Sequence, residues 1–308
     1  MKTRSLQKTV RTMINMRYLY LMFLPVLVYY ILFHYMPMYG ITLAFKDFRI
    51  SEGINGSPWV GLKNFQTIFA GYDFYKVLKN TVIISVLKIV CGFPFPIIFA
   101  LLLNELQSRK YKSVIQTISY LPYLMSWVIL GSIIIEILSP SRGMINYIIT
   151  SLGGESIYFM TKAEYFRSIL VISGIWHSVG WNAVIYLAAI AGIDVEQYQS
   201  ARIDGAGRFQ MARYITLPSI LPTIAVMLIL SMGGILSAGF DQIFNLYNAS
   251  VYKVADVIDT YVYRMGLANF QYSISTAVNV FKNFVGLILT LAANLFIKKL
   301  SSGDYGIW

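Results

Sequence analysis

The sequence contains little charge, one cysteine and two histidines. Charged residues make up 13% of its 308 residues and hydrophobic residues 57%, whereas about a quarter of the residues in a soluble domain are charged. Because Cys91 is the single cysteine, an intramolecular disulfide, a redox-active cysteine pair and a multi-cysteine metal site are excluded. His34 and His177 lie in separate hydrophobic runs, so their spacing predicts no metal site.

Catalytic signatures are also lacking. The sequence has no paired carboxylates, no nucleophile motif and no G-x-x-x-x-G-K-[ST] loop of the kind that holds the phosphates of ATP. Residues 53–62, GINGSPWVGL, contain glycines but lack the lysine and the hydroxyl of that loop. We therefore predict a protein that is not an enzyme, has no catalytic residues and binds no cofactor itself.

Long hydrophobic runs are the main feature of the sequence. A helix that spans a membrane needs about 20 mostly apolar residues, and six runs meet that length. They cover roughly 17–41, 77–103, 114–138, 168–190, 219–247 and 274–297. The sequence therefore predicts an all-α polytopic membrane protein with six transmembrane helices. Pro94, Pro96 and Pro122 are expected to bend the second and third of them.

The excess of positive charge indicates the membrane topology. The 25 Lys and Arg against 14 Asp and Glu give a net charge of +11, and the positive residues are scattered through a hydrophobic chain, which argues against nucleic acid as a partner. Residues 1–16 are basic and contain no acid, which predicts a cytoplasmic tail ahead of a membrane domain at 17–308. Six spans return the carboxy terminus to the cytoplasm, in agreement with Lys298 and Lys299.

A polar segment separates the fourth and fifth predicted spans. Residues 196–223 read EQYQSARIDGAGRFQMARYITLPSILPT, with helical spacing on both sides of Asp204-Gly205. This pattern predicts a helix-turn-helix on the cytoplasmic face, in which Gly205 permits a tight change of direction. On periodicity alone, an ordinary amphipathic connector between two spans is the alternative.

The order of residues in this segment resembles the EAA loop of ATP-binding-cassette importer permeases. That pattern is Glu-Ala-Ala, three residues, Gly, nine residues, Ile, one residue, Leu-Pro, and here Gln199-Ser200-Ala201, Gly205, Ile215 and Leu217-Pro218 keep its spacing. The resemblance implies that residues 196–218 couple the chain to an ATPase. The candidate coupling residues are Glu196, Gln199, Ser200, Ala201, Asp204, Gly205, Ala206, Leu217 and Pro218. Because the family's glutamate is Gln199 here, Glu196 or Asp204 is the candidate for a charged contact.

Three further stretches extend the resemblance to carbohydrate importers of the maltose type. WVGLKNFQTIF at 59–69, SYLPYLMSWVILG at 119–131 and GIWHSVGWNAVIYLAAIAGID at 174–194 look like those permeases, with the LplB-like polysaccharide and oligosaccharide branch nearest. The resemblance implies a type I importer fold with a MetI-like core. It also implies location in the bacterial cytoplasmic membrane and import of an oligosaccharide or polysaccharide fragment by alternating access.

The partners also follow from the resemblance. It implies a second, homologous permease subunit, two ATPase subunits that use ATP and Mg, and an extracytoplasmic solute-binding protein that delivers the oligosaccharide. A homodimer of this chain is an alternative to the heterodimer. An ion-coupled secondary sugar transporter is the alternative function, although the sequence has few intramembrane acids and no clear inverted repeat.

Two lysines lie near the middle of predicted spans. Lys88 and Lys282 would each cost about 2.5 to 3.5 kcal/mol to insert at the centre of a helix, so such groups usually face protein or water. We hypothesise that one or both of them line the substrate path and favour an acidic sugar, such as a uronic-acid oligosaccharide. The alternative is a lysine that reaches the membrane interface or pairs with a carboxylate such as Glu136 or Asp241.

Aromatic and amide side chains in the fourth and last spans suit a sugar. A pyranose ring offers an apolar face for aromatic rings and hydroxyl groups for amides. The further candidates for the substrate path are Trp176, Trp181, Asn182, Asn279 and Asn283. Contacts between helices and positions at the membrane interface are the alternative explanation for these residues.

Overall fold

The computed structural model describes residues 15–301 and Gly306. Helices form the regular structure of these residues, apart from one isolated antiparallel bridge between Lys46 and Trp59. Most of the predicted basic tail, residues 1–14, lies outside the described residues. The all-α class predicted from the hydrophobic runs is confirmed.

The helices vary in length from one turn to eight. The α-helices are α1 (Arg17–Tyr30), α2 (Gly53–Gly56), α3 (Lys63–Ala70), α4 (Tyr72–Gly92), α5 (Pro94–Asn104), α6 (Arg109–Leu124), α7 (Trp127–Ile137), α8 (Met144–Ser151), α9 (Ala163–Ala191), α10 (Val195–Ile203), α11 (Arg208–Met211), α12 (Leu217–Gly233), α13 (Phe240–Leu246), α14 (Tyr252–Ala255), α15 (Ile258–Tyr263) and α16 (Tyr272–Leu300). π-helical turns cover Ile31–Tyr35, Ala212–Thr216 and Arg264–Ala268, and 3₁₀ turns cover Met36–Phe45 and Ala249–Val251.

Five helical segments in the described chain are long and apolar enough to cross a membrane. They are Arg17–Phe45, Tyr72–Asn104, Ala163–Ala191, Arg208–Gly233 and Tyr272–Lys299. The pair α6 and α7 makes a sixth if its two helices count as one span, although they are bent by 101°. The structure therefore supports the prediction of six spans with one broken span among them.

Prolines break the second and third spans where the sequence predicts bends. Pro94 is the first residue of α5, directly after Phe93 interrupts the helix. Pro122 lies in the last turn of α6, and the chain then turns at Met125 and Ser126 before α7. A proline has no N–H to donate to the preceding turn, which weakens the helix around it. The bend predicted at Pro122 is therefore confirmed, and the third predicted span, 114–138, consists of two helices.

The fifth predicted span, 219–247, is also wrong in its extent. Helix α12 ends at Gly233, and α13 begins after Gly239. Gly239 has a φ of +93°, which a residue with a Cβ rarely adopts. The apolar run thus contains two helices with a break of six residues between them, which a hydropathy pattern does not separate.

Helix α9 is the centre of the packing. At one end, its residues Ala183, Tyr186 and Ile190 form a buried cluster with Ala100 of α5 and Ile220 of α12. At the other end, Phe166 and Leu170 pack against α4, α7 and α13. Helix α1, in contrast, buries none of its residues within the chain. An apolar helix of this kind suits contact with lipid.

Candidate functional site

A cavity of about 400 Å³ lies among α4, α5, α9, α12 and α13. Polar groups on its wall come from Lys88, Ser178, Asn182, Tyr186, Ser231 and Gln242. Apolar and aromatic side chains, including Phe93 and Trp127, form the rest of the lining. Rings together with hydroxyl, amide and ammonium groups match the chemistry of a sugar, whose faces are apolar and whose edges carry hydroxyl groups.

Lys88 brings a positive charge to this cavity. Its Nζ donates hydrogen bonds to the carbonyl oxygen of Ala238 at 2.6 Å and to Oε1 of Gln242 at 2.5 Å. Both acceptors are neutral, and none of the ion pairs in the described part of the chain includes Lys88. The cavity lining in this part of the chain contains no Asp or Glu. The charge of Lys88 is thus not cancelled by a carboxylate at the cavity.

The break between α12 and α13 makes room for the ammonium group. A Cβ on Gly239 would lie 3.0 Å from the Nζ of Lys88. The glycine therefore serves both the left-handed backbone conformation and the close approach of the lysine.

Stacked rings lie beside the cavity. The ring of Trp127 lies 4.5 Å from that of His177, centroid to centroid, and Tyr123 stacks on Trp181 at 4.7 Å with an angle of 4°. Of these four residues, only Trp127 lines the cavity. Trp181 thus contacts α6, and the sequence-based candidate that reaches the cavity from the fourth span is Asn182.

Lys282 lies in a different environment from Lys88. Its Nζ contacts Oδ1 of Asp259 on α15 at 2.5 Å, and both side chains are largely buried. The carboxylate partner is therefore neither Glu136 nor Asp241, the two that the sequence suggested. Lys282 does not line the cavity that Lys88 shares with Asn182. Four other sequence-based candidates also lie outside this lining: Trp176, Trp181, Asn279 and Asn283.

The polar segment after α9 forms a compact elbow. Asp194 caps the start of α10, and its side chain accepts a hydrogen bond from the N–H of Glu196 at 3.0 Å. The chain reverses at Gly205, where φ is +80°, and α11 with its π-helical turn then leads into α12. The two helices and the glycine turn that the spacing predicts are thus present, whereas their cytoplasmic location stays a prediction.

One hydrogen bond ties the two arms of the elbow together. The hydroxyls of Tyr198 on α10 and Thr216 at the start of α12 lie 2.9 Å apart, and Thr216 is buried. This hydrogen bond connects α10 directly to the residue that precedes α12.

The elbow presents its candidate residues on its surface. Glu196, Gln199, Ser200, Asp204, Gly205 and Pro218 are exposed, and Ala201, Ala206 and Leu217 are half-buried. Two apolar side chains beside the turn, Ile203 and Phe209, are 87% and 79% exposed. They were not among the sequence-based candidates, although large apolar residues in a polar segment were a usable signal.

Gln242 is a third residue that sequence reasoning missed. It is 2% exposed and contacts Lys88, yet it lies within the run that hydropathy assigns to a continuous fifth span. Its partners are 69 to 154 residues away in the chain, so no local pattern reveals them.

Sequence comparison relates this chain to transport proteins. Residues 92–301 match the family described as binding-protein-dependent transport system inner membrane component. The polygalacturonan/rhamnogalacturonan transport system permease protein YteP of Bacillus subtilis is 46% identical over 96% of this chain and 92% of its own length. LplB of the same organism is 44% identical over 92% of this chain and 89% of its own length.

Solved structures with the same fold also belong to transporters. A bacterial ABC transporter involved in the import of the acidic polysaccharide alginate contains a chain that is 40% identical to this one. The two superpose with a TM-score of 0.87 over 95% of this chain and 99% of the other. The alginate transporter in complex with a periplasmic protein that holds an alginate pentasaccharide gives a TM-score of 0.87 at 39% identity, over 96% of this chain and 99% of the other.

Proposed function

The chain belongs to the family of binding-protein-dependent transport system inner membrane components, and we propose that it passes an acidic oligosaccharide through the membrane in an ATP-driven importer. The acidic substrate is inferred from Lys88, which lines a sugar-sized cavity and bonds only to neutral acceptors. A charge in a cavity of low polarity attracts an opposite charge far more strongly than it does in water. A carboxylate group on a sugar fits this position.

The chemistry of the relatives supports the same substrate class. The transporter of similar structure imports alginate, which is an acidic polysaccharide, and YteP is named for polygalacturonan and rhamnogalacturonan. Within the cavity, Lys88 and Asn182 are the predicted path residues that we propose to contact the sugar, with Trp127 as an aromatic wall. Trp176, Trp181, Lys282, Asn279 and Asn283 lie elsewhere and would contact substrate only in another state of the transport cycle.

The elbow at 196–218 is proposed as the contact with the ATPase. Its turn at Gly205 and its exposed Ile203 and Phe209 form a protruding surface, and Tyr198 connects that surface to α12. Two ATPase subunits would use ATP and Mg, a second homologous permease would complete the pathway, and a solute-binding protein would deliver the sugar. Both termini would then lie in the cytoplasm, as the basic residues at the ends of the sequence suggest.

Reconstitution tests this proposal. The permeases, the ATPase and the binding protein are placed in proteoliposomes, and uptake of a uronic-acid oligosaccharide is measured with ATP on the ATPase side. We expect uptake only when ATP and loaded binding protein are both present. Uptake driven by a proton or sodium gradient without ATP would instead establish the ion-coupled secondary transporter.

A further inference from the structure

Gln242 connects three helices at the wall of the cavity. Its side-chain nitrogen donates hydrogen bonds to the carbonyl oxygen of Leu170 and to Oγ of Ser173, both at 2.8 Å and both on α9. Its side-chain oxygen accepts a hydrogen bond from Lys88 on α4. Gln242 itself belongs to α13 and is 2% exposed. The amide nitrogen thus bonds to α9 and the amide oxygen to α4.

These partners fix the direction of the amide. The carbonyl oxygen of Leu170 can only accept a hydrogen bond, and the ammonium group of Lys88 can only donate one. The nitrogen of Gln242 must therefore face α9 and its oxygen must face Lys88. A rotated amide would place a donor against a donor and an acceptor against an acceptor, which is costly for a buried group.

The same geometry leaves part of Lys88 available. An ammonium group carries three N–H donors, and Ala238 and Gln242 take two of them. One donor remains on a side chain that lines the cavity. Because both acceptors are neutral, they fix the position of the ammonium group without forming an ion pair with it.

We propose that Gln242 is a positioning residue for acidic sugars: it holds the ammonium group of Lys88 at the cavity wall and leaves its charge and one N–H for a substrate carboxylate. A glutamate at this position would bind the lysine through an ion pair, and its second oxygen would replace the N–H donor to the carbonyl oxygen of Leu170. The substrate would then have to compete with a permanent carboxylate. This inference rests on the proposed function, because it assigns a role to Gln242 only through Lys88.

The substitution Gln242→Glu tests the inference, because it changes the charge and keeps the shape. The purified complex is titrated with a uronic-acid oligosaccharide and with its carboxyl-reduced, uncharged counterpart of the same length. For the acidic sugar we expect Kd to rise about tenfold, the effect of losing one favourable charge contact. For the uncharged sugar we expect Kd to stay within about twofold of wild type, because the shape of the cavity is kept.

A purely structural role for Gln242 predicts a different result. Equal weakening for both sugars, or no change for either, would overturn the inference. In the background of Lys88→Met, adding the uncharged substitution Gln242→Leu should leave the ratio of the two Kd values unchanged, because a residue that acts through Lys88 has no further effect once Lys88 is gone. An additive effect in the double variant would also overturn it.

A second variant covers the case in which Gln242→Glu does not assemble. Ser173→Ala removes one acceptor of the Gln242 amide without adding charge. The Kd of the acidic sugar should rise about threefold, the loss expected for a weakened hydrogen bond, and that of the uncharged sugar should not change.

The Lys88→Met variant distinguishes failure of the proposed function from failure of this inference. If the proposed function is wrong, Lys88→Met leaves the ratio of the two Kd values at the wild-type level. If Lys88→Met changes that ratio and neither Gln242→Glu nor Ser173→Ala does, only the role of Gln242 is refuted.

Discussion

Lys282 and Asp259 form an ion pair that joins the last span to α15. The Nζ and Oδ1 atoms lie 2.5 Å apart, and the two side chains are 16% and 15% exposed. Lys88, which the sequence places in an equivalent mid-span position, contacts only neutral acceptors. The two lysines thus give the same signal in the sequence but have different surroundings. Lys282 links two helices through an ion pair, whereas Lys88 lines the cavity and is available to a ligand.

The Lys282–Asp259 pair should contribute to stability. Lys282→Met leaves a buried carboxylate without its partner, so we expect the free energy of unfolding to fall by about 3 kcal/mol. Thermal unfolding of the purified complex measures the change. The double variant Lys282→Met/Asp259→Leu removes both charges and should recover much of the loss. A single variant as stable as wild type would show that the pair contributes nothing.

Gly205 should be required for coupling between ATP hydrolysis and transport. Gly205→Ala places a Cβ on a residue with a φ of +80°, which costs about 1 kcal/mol and opens the turn. We expect the ATPase activity stimulated by loaded binding protein to fall severalfold. The matched control is Gly207→Ala, because Gly207 has a φ of −73° and accepts a Cβ without strain. Equal effects of the two substitutions would show that the left-handed turn has no special role.

The hydroxyl of Tyr198 should help to transmit movement into α12. Tyr198→Phe removes its hydrogen bond with Thr216 and should weaken the link by about 1 kcal/mol. We expect fewer sugars to be transported per ATP hydrolysed, while ATP hydrolysis itself continues. Tyr214→Phe is the control, because Tyr214 is in the same elbow and 70% exposed. An unchanged ratio of transport to hydrolysis in Tyr198→Phe would contradict this role.

The features that the sequence predicted correctly depend on local chemistry. A few adjacent residues determine each of these features: the helix-length apolar runs, the breaks near Pro94 and Pro122, and the turn at Gly205. The end of the fifth span was missed because the apolar run continues through residues 234–247, past the point where the helix stops. Hydropathy does not register a break between two apolar helices.

The site depends instead on contacts between distant residues. Asp259 is 23 residues from Lys282, and Gln242 is 154 residues from Lys88. No pattern in one sequence indicates which of the two lysines meets a carboxylate. The contact of α16 with α15 gives Lys282 its carboxylate, whereas the contact of α4 with α13 gives Lys88 a neutral partner. Asn182 lines the cavity, and Trp176 and Trp181 do not.

Uptake by the Lys88→Met variant tests the central claim most directly. Proteoliposomes with the complete complex receive a uronic-acid oligosaccharide or its carboxyl-reduced counterpart, with ATP and saturating binding protein. Lys79→Met, an exposed lysine in the same helix, is the control. We predict that Lys88→Met lowers uptake of the acidic sugar about tenfold relative to the uncharged one and that Lys79→Met does not change this ratio. Equal uptake ratios in wild type and Lys88→Met would contradict a cavity that selects its substrate by charge.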